Sequence, residues 1–224
     1  MIRDIPFRVA VDGPSGAGMS TAAKRIAKAL SITYIDTGAM YRAVALKILS
    51  EGADIDDAEA LARMLEDTDV DFIDERAVLD GRDVSDLIRT PEVTAMASAS
   101  SARPVVRRKL VALQRKMGAK KSVVMDGRDI GTNVFPNAEF KFFMIASPQE
   151  RARRRFAELA EKDDSPSYEE VLAAISERDY NDSHRAVDPL VKAEDAVEID
   201  TDGMTIDEVS EWMLGKIVER LPEE

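Results

Sequence analysis

The stretch Gly13-Pro14-Ser15-Gly16-Ala17-Gly18-Met19-Ser20-Thr21 decides how the rest of the chain is read. Ahead of it, Phe7 to Val11 is an apolar run suited to a buried strand. Behind it, Ala22, Ala23, Ile26, Ala27 and Leu30 recur at helical spacing within Ser20 to Leu30. Thr33 to Ile35 then reads as a second strand. A glycine-rich turn between a buried strand and a helix gathers backbone N–H groups and a helix N-terminus around one point, which suits a chain of phosphates. The pattern G-x-x-x-x-G-K-[ST] is met except at one position, where Met19 stands in place of lysine. Gly13 to Thr21 are therefore candidates for binding a triphosphate, and the Ser20 hydroxyl for a magnesium ion that travels with it. The mobile cation that would follow the β- and γ-phosphates is missing from the motif.

The alternation continues along the chain. Ser122 to Met125, Phe140 to Ile145 and Ala196 to Ile199 read as further buried parallel strands. Helical segments are expected over Tyr41 to Ser50, Asp57 to Leu65, Thr94 to Met117 with a break at Pro104, Pro148 to Lys162, Tyr168 to Asp179 and Ile206 to Leu221. Thr205 and Glu208 stand at capping-box spacing before the last of these. Val70 to Val84 has a different character: two short runs with turns at Glu75-Arg76 and Asp80-Gly81 read as an antiparallel insertion. Asp163 to Ser167 is a short polar connection. The expected fold is α/β, a five-stranded parallel sheet flanked by helices, with that small insertion.

Composition narrows the chemistry. The 224 residues suffice for one full-sized core. With 43 acidic residues against 31 basic ones the net charge is -12, which argues against a surface that wraps nucleic acid. The absence of cysteine removes disulfides, iron-sulfur clusters, thiolate zinc sites and cysteine nucleophiles, and His184, the one histidine, rules out a multi-histidine metal centre. Carboxylates, arginines, lysines, hydroxyls and backbone must do the work. Met1-Ile2-Arg3-Asp4 shows no signal pattern, and no apolar run approaches the roughly 20 residues that span a bilayer. A cytoplasmic protein with no membrane or nucleic-acid partner is expected.

Two further motifs stand at strand ends. Asp36-Thr37-Gly38-Ala39-Met40-Tyr41-Arg42 and Asp126-Gly127-Arg128-Asp129-Ile130-Gly131-Thr132 put acids, hydroxyls and arginines at the carboxyl edge of the sheet, where open α/β sheets bind ligands. Both are expected to converge on the crevice at the phosphate loop. Arg151, Arg153, Arg154 and Arg155 crowd one helix, where repulsion is costly without an anion, although Glu150, Glu158 and Glu161 stand near enough to offset it. Arg178, Asp182 and Arg185 share a face if the helix continues past Asp179. His184 lies off that face and reads as a surface residue.

The phrases Ile35 to Arg42, Gly81-Arg82-Asp83-Val84 with Ile88-Arg89-Thr90, Asp126 to Thr132 with Val134-Phe135-Pro136, and Arg178-Asp179 through Arg185-Ala186-Val187 together resemble the bacterial cytidylate kinases, from about Phe7 to Leu221. The resemblance implies a P-loop nucleoside monophosphate kinase fold in a single domain 1–224, with a core of 1–37, 98–150 and 168–224, a monophosphate-binding region of about 38–97 and a lid of about 151–167. It implies transfer of the γ-phosphoryl group of ATP to CMP or dCMP in pyrimidine nucleotide metabolism, with Mg2+ accompanying ATP, by a monomer. Carried over by position, Arg107 and Asp129 read the cytosine with help from Ser98 and Thr37, and Asp36 belongs to the same CMP site. Arg42 and Arg128 hold the CMP phosphate, Arg178, Asp182 and Arg185 meet ribose and phosphate, and Arg154 and Arg155 close over ATP. Arg128, Arg154, Arg155 and Arg185 are the implied catalytic charges. The chemistry is consistent: cytosine's amine suits a carboxylate acceptor, and its ring nitrogen and carbonyl suit a guanidinium. A phosphate acceptor with a second pKa of about 6 is largely dianionic at neutral pH and needs no general base, so the lack of a histidine is no obstacle.

Met19 is the departure from the pattern. An engineered inactivation, a natural change compensated elsewhere, and a nucleotide-binding protein that no longer catalyses all remain open at this point. So do a catalytically silent nucleotide-binding protein and a P-loop kinase of another small acceptor such as UMP.

Overall fold

The structure, a computed structural model, describes residues 6–73, 75–159 and 166–221. In chain order the elements are β1 (Arg8–Asp12), α1 (Met19–Leu30), β2 (Thr33–Asp36), α2 (Thr37–Glu51), α3 (Ala58–Glu66), β3 (Val70–Ile73), β4 (Arg76–Leu79) and β5 (Arg82–Asp83). They continue through α4 (Pro91–Ser101), α5 (Pro104–Met117), β6 (Val123–Gly127), β7 (Phe140–Ile145), α6 (Pro148–Leu159), α7 (Tyr168–His184), β8 (Val197–Asp200) and α8 (Ile206–Val218). Two compact units contain them: one holds the described residues up to 34 and from 121 onward, the other is Ile35–Lys120.

The main sheet has the order β2-β6-β1-β7-β8. β6 and β7 flank β1 in parallel, and β8 runs parallel to β7. Strands covered on both faces should be apolar throughout rather than alternating, and β6 is buried at every residue. All five expected strands are present, displaced by at most two residues at an end. Ala22, Ala23, Ile26 and Ala27 of α1 pack with Val9, Val11, Phe142 and Met144 of the sheet and with Val209, Met213 and Ile217 of α8. A separate small cluster joins α6 to α7 through Ala152, Val171 and Ile175, with Phe156 against Tyr168 edge to face.

Helix ends depart most from expectation. α7 runs on to His184, five residues past Asp179, and its capping box joins Ser167, expected only as the end of a polar connection, to Glu170 of the expected helix. The Thr205–Glu208 capping box is formed as expected, and α8 ends at Val218 rather than Leu221. The expected end of α6 at Lys162, Glu161 and the middle of the lid fall in 160–165, outside the described residues.

In Ile35–Lys120, α2 packs against α4 and α3 against α5. α2 starts at Thr37, not Tyr41, because the Asp36 side chain caps it by accepting the Ala39 N–H at 2.8 Å. Pro91 and Pro104 open α4 and α5 in the first turn, where a missing N–H costs nothing. The insertion is a three-stranded antiparallel sheet, β3-β4-β5, with Val70 opposite Leu79 and Val78 opposite Asp83. Asp80 and Gly81, at φ 49° and 79°, form its two-residue hairpin turn. Arg76 belongs to β4 and not to the preceding turn, where Glu75 takes the positive φ of 63°.

Candidate active site

The phosphate loop is fixed at both ends by its neighbours. A Cβ at Gly13 would overlap the Met144 carbonyl, so only glycine lets β1 turn here against β7. Ser15 and Ala17 present their carbonyls outward: the Arg151 guanidinium donates to Ser15 O at 3.2 Å and the Thr201 hydroxyl to Ala17 O at 3.3 Å. No side chain caps α1, whereas Asp36, Asp57, Thr90, Ser167 and Thr205 cap α2, α3, α4, α7 and α8. The first N–H groups of α1 are left for an anion.

Beside that N-terminus Ser20 Oγ donates to Asp126 Oδ2 at 2.6 Å, while Tyr34 OH donates to Asp126 Oδ1 at 2.8 Å. Asp126 is buried at the carboxyl end of β6, next to β1. Sequence reasoning assigned it no role of its own. The apolar run Val123 to Met125 ending in a carboxylate was the available signal, but its pairing with Ser20 depends on β6 lying beside β1, 106 residues away in sequence. A hydroxyl and a carboxylate in contact are the hard oxygen donors Mg2+ takes. Among the described residues no group of three or more His, Cys, Asp and Glu forms a metal cluster, so such an ion would depend on this pair together with phosphate oxygens.

Met19 begins α1 with its side chain in the hydrophobic core, 5% exposed, and its sulfur lies 3.1 Å from where a Gly13 Cβ would stand. The position that the motif gives to a cation is here an interior packing position.

Asp12, the last residue of β1, accepts the backbone N–H groups of Ile130 and Gly131 at 2.8 and 2.7 Å. Those residues open the π-type turn Ile130–Val134. Burial raises the Asp12 pKa to about 7, opposed by the two N–H bonds and by Arg128, and assisted by Asp129. Arg128 Nε donates to Asp182 Oδ2 at 2.7 Å, and Arg185 Nη2 to Asp129 Oδ1 at 3.3 Å. Asp129 also accepts from Asn133 Nδ2 at 3.0 Å. Thus Arg128, Asp129, Asp182 and Arg185 come together as acid–base pairs, and Arg178 sits half-buried on the same helix, α7, as Asp182.

The α6 arginines do not stand in uncompensated repulsion. Glu150 accepts from both Arg153 and Arg154 at 2.8 Å, which pulls its pKa down to about 2. Arg155 pairs with Glu158, and Arg154 also donates to Thr201 O at 2.7 Å. Arg151 turns inward to Asp179. Of the glutamates expected to offset this crowding, Glu150 and Glu158 are engaged as partners, and Asp179 on α7 adds a carboxylate that spacing along α6 could not show, so the arginines are balanced without an anion.

In Ile35–Lys120, Arg42 meets Asp36 at 3.4 Å, and Asp36 is mainly engaged as the α2 cap. Thr37 is buried at the first position of α2. Arg107 is buried, with its guanidinium 5.8 Å from the Tyr41 ring centre and 3.5 Å from Ser101 O. Ser98 is exposed on α4. His184 is exposed and stacks on Tyr180, as a surface residue would.

The cytidylate kinase family profile matches residues 9–219. A cytidylate kinase of Clostridioides difficile is 50% identical over 209 residues, covering 93% of this chain and 97% of its own. One from Caldanaerobacter subterraneus subsp. tengcongensis is 50% identical over 208 residues, covering 93% of both chains. Among solved structures, a gluconokinase from Sinorhizobium meliloti covers 98% of this chain and 95% of its own at 16% identity and TM-score 0.51. A shikimate kinase from Bacteroides thetaiotaomicron covers 95% and 97% at 13% identity and TM-score 0.50. At such identities these two speak for the fold alone. Half the residues shared over nearly the full length of both chains is a different order of likeness, and by it the chain belongs to the cytidylate kinase family, a family of nucleoside monophosphate kinases.

Proposed function

We propose that this protein transfers the γ-phosphoryl group of ATP to CMP or dCMP in the cytoplasm, with turnover lowered by Met19. The observation that carries it is the Ser20–Asp126 pair beside the uncapped start of α1, in a chain of this family. ATP binds Gly13 to Thr21. Ser20, with Asp126 behind it, would hold Mg2+, which when bound offsets charge on the donor phosphates. For CMP, the residues proposed are Asp36, Thr37, Arg42, Ser98, Arg107, Arg128, Asp129, Arg178, Asp182 and Arg185. Asp129 takes the cytosine amine, and Arg128 and Arg185 neutralise charge on the transferring group. Residues of about 38–97 serve monophosphate binding. Arg154 and Arg155 are assigned to the lid, about 151–167, and would exchange their present carboxylate partners for ATP phosphates.

The chemistry is positioning and charge neutralisation, since a dianionic acceptor needs no base. Coupled ADP release with CMP, dCMP and UMP, with and without Mg2+, tests it beside Met19→Lys. The lysine variant is expected to turn over at least about tenfold faster at nearly unchanged CMP affinity, because the added cation acts on ATP and transition-state charge. Its stem is long enough to carry the ammonium out of the core. Equal rates would mean that another cation already serves. ATP binding without CMP-dependent ADP release in either protein would favour the catalytically silent reading, for which the buried Met19 is the specific support.

A further inference from the structure

Of the four arginines on α6, only Arg151 is buried, at 3% exposed. Its Nε donates to Ala146 O at 2.9 Å, its Nη1 to Ser15 O at 3.2 Å and to Asp179 Oδ1 at 2.9 Å, and its Nη2 to Asp179 Oδ2 at 2.6 Å. A guanidinium with these four bonds is already committed, so it is not available to follow a phosphate. What it does hold is a peptide group of the phosphate loop. In a trans peptide the C=O and the following N–H point in opposite directions. Drawing Ser15 O toward Arg151 therefore aims the Gly16 N–H away from Arg151, the direction in which a loop of this kind offers N–H groups to an anion. The backbone is pressed close: a Cβ on Gly16 would lie 3.3 Å from the Arg151 Cβ.

The other end of the pair reaches the acceptor residues. Asp179 follows Arg178 on α7 and stands three residues before Asp182, which in turn holds Arg128. Two parallel N–H···O bonds to one carboxylate fix angle as well as distance, and lysine cannot reproduce that fork. We infer that Arg151 and Asp179 are a positioning pair, which sets the Ser15–Gly16 peptide for the donor phosphates and ties that setting to the helix carrying Arg178 and Asp182. The inference rests on the reading that ATP occupies the loop, and it adds a residue outside the phosphate motif to that site.

The test uses Arg151→Lys, Asp179→Asn and the double variant, each checked for cooperative thermal unfolding above the assay temperature. Equilibrium binding of Mg-ATP without CMP is expected to weaken roughly tenfold in Arg151→Lys and several-fold in Asp179→Asn, the double variant being no worse than Arg151→Lys because the two residues act as a unit. The Gly16 amide signal that matters is its N–H residual dipolar coupling, which reports the direction of the bond: it should change in every variant before ligand is added, which the loss of a nearby charge with the peptide left in place would not produce. If Arg151→Lys does not fold, Asp179→Asn with the Gly16 signal decides. Folded variants with ATP affinity within about twofold of the parent and an unchanged Gly16 coupling would overturn the inference. A parent that binds no ATP would overturn the assignment of the loop instead, and the Gly16 signal in the ligand-free variants would still judge the pair.

Discussion

The phosphate-loop unit and Ile35–Lys120 treat their polar groups differently. In the first, Arg151 pairs with Asp179, Arg128 with Asp182, Arg185 with Asp129, Lys141 with Asp195 at 2.8 Å, and Asp12 accepts two N–H groups. In the second, Lys47 pairs with Asp80 at 2.6 Å, but Arg42 reaches Asp36 only at 3.4 Å, and among the described residues its buried Nε has no hydrogen-bond partner; the same holds of Ser100 Oγ and Gln114 Nε2 there, and of Arg8 Nε in the first unit. On the proposed function, the contrast between Arg128 and Arg185, which are given the transferring group, and Arg42, which is given the phosphate of the acceptor, fits two tasks. Stabilising charge on a transferring phosphoryl group needs dipoles and cations set in advance, since reorganising them during the reaction would cost what they contribute. Recognising an acceptor works the other way, since a polar group whose bonds are incomplete gains from the right ligand and loses with the wrong one.

The largest expected effect lies at Asp126, which accepts from both Ser20 and Tyr34. Asp126→Asn keeps the shape of the side chain but removes the charge that Ser20 and a magnesium ion would share. Turnover should fall about a hundred- to a thousandfold, in line with removal of one preset electrostatic element, and raising the Mg2+ concentration should recover part of it. A loss below about threefold would mean that the bonded pairs of this unit serve stability and not catalysis.

Asp12 offers a second test, this time of the cost of presetting a charge. Its pKa in the folded protein is raised to about 7 by burial, above the ordinary 3.8. Between those values the folded state keeps a proton that the unfolded state has released, so stability falls as pH rises through the window and is flat above it. Unfolding in urea, compared between the parent and Asp12→Asn, cancels every other titration. The parent should lose about 2 kcal/mol relative to the variant from pH 5 to 7.5, a shift of this size converting at about 1.4 kcal/mol per pH unit. A constant difference would show that the carboxylate is charged at little cost.

The two units were also unequally readable in the sequence. Phe140 to Ile145 was located to the residue because a strand covered on both faces is mostly apolar, and here only Lys141, which reaches Asp195, breaks the run. The start of α2 was missed because Thr37 and Gly38 are weak helix formers, although Asp36 carried the cap signal. Ser167 and Glu170 have the same spacing as Thr205 and Glu208, but Ser167 closed a stretch read as polar connection while Glu170 fell in the expected helix, so the pair was not seen. At the site, residue types and spacing pointed to the right segments, while partners across space stayed hidden. Whether an arginine of α6 faces solvent, Thr201 or Asp179 depends on where α7 and β8 lie, and Ser20 meets Asp126 only because β6 pairs with β1.

The smallest expected effect tests the contrast between the units most directly, by making the same substitution in each. Arg128→Met leaves Asp182, a carboxylate 14% exposed, without the guanidinium beside it, and should destabilise the protein by about 1–3 kcal/mol, because breaking one half of a buried pair strands the other charge. Arg42→Met removes a long contact to Asp36 together with a buried Nε that has no partner, so one loss offsets the other. Asp36 keeps its bond to the Ala39 N–H, and α2 keeps its cap. The change in unfolding free energy at Arg42 should therefore stay within about 0.5 kcal/mol, while the KM for CMP rises at least about tenfold with the loss of a phosphate-binding charge. Denaturant midpoints for both variants, set beside CMP kinetics, separate the two quantities. If Arg42→Met proved as destabilising as Arg128→Met, the guanidinium would be a structural member of its unit, and the distinction between preset and ligand-completed polar groups would fail at the residue where it predicts the cleanest split.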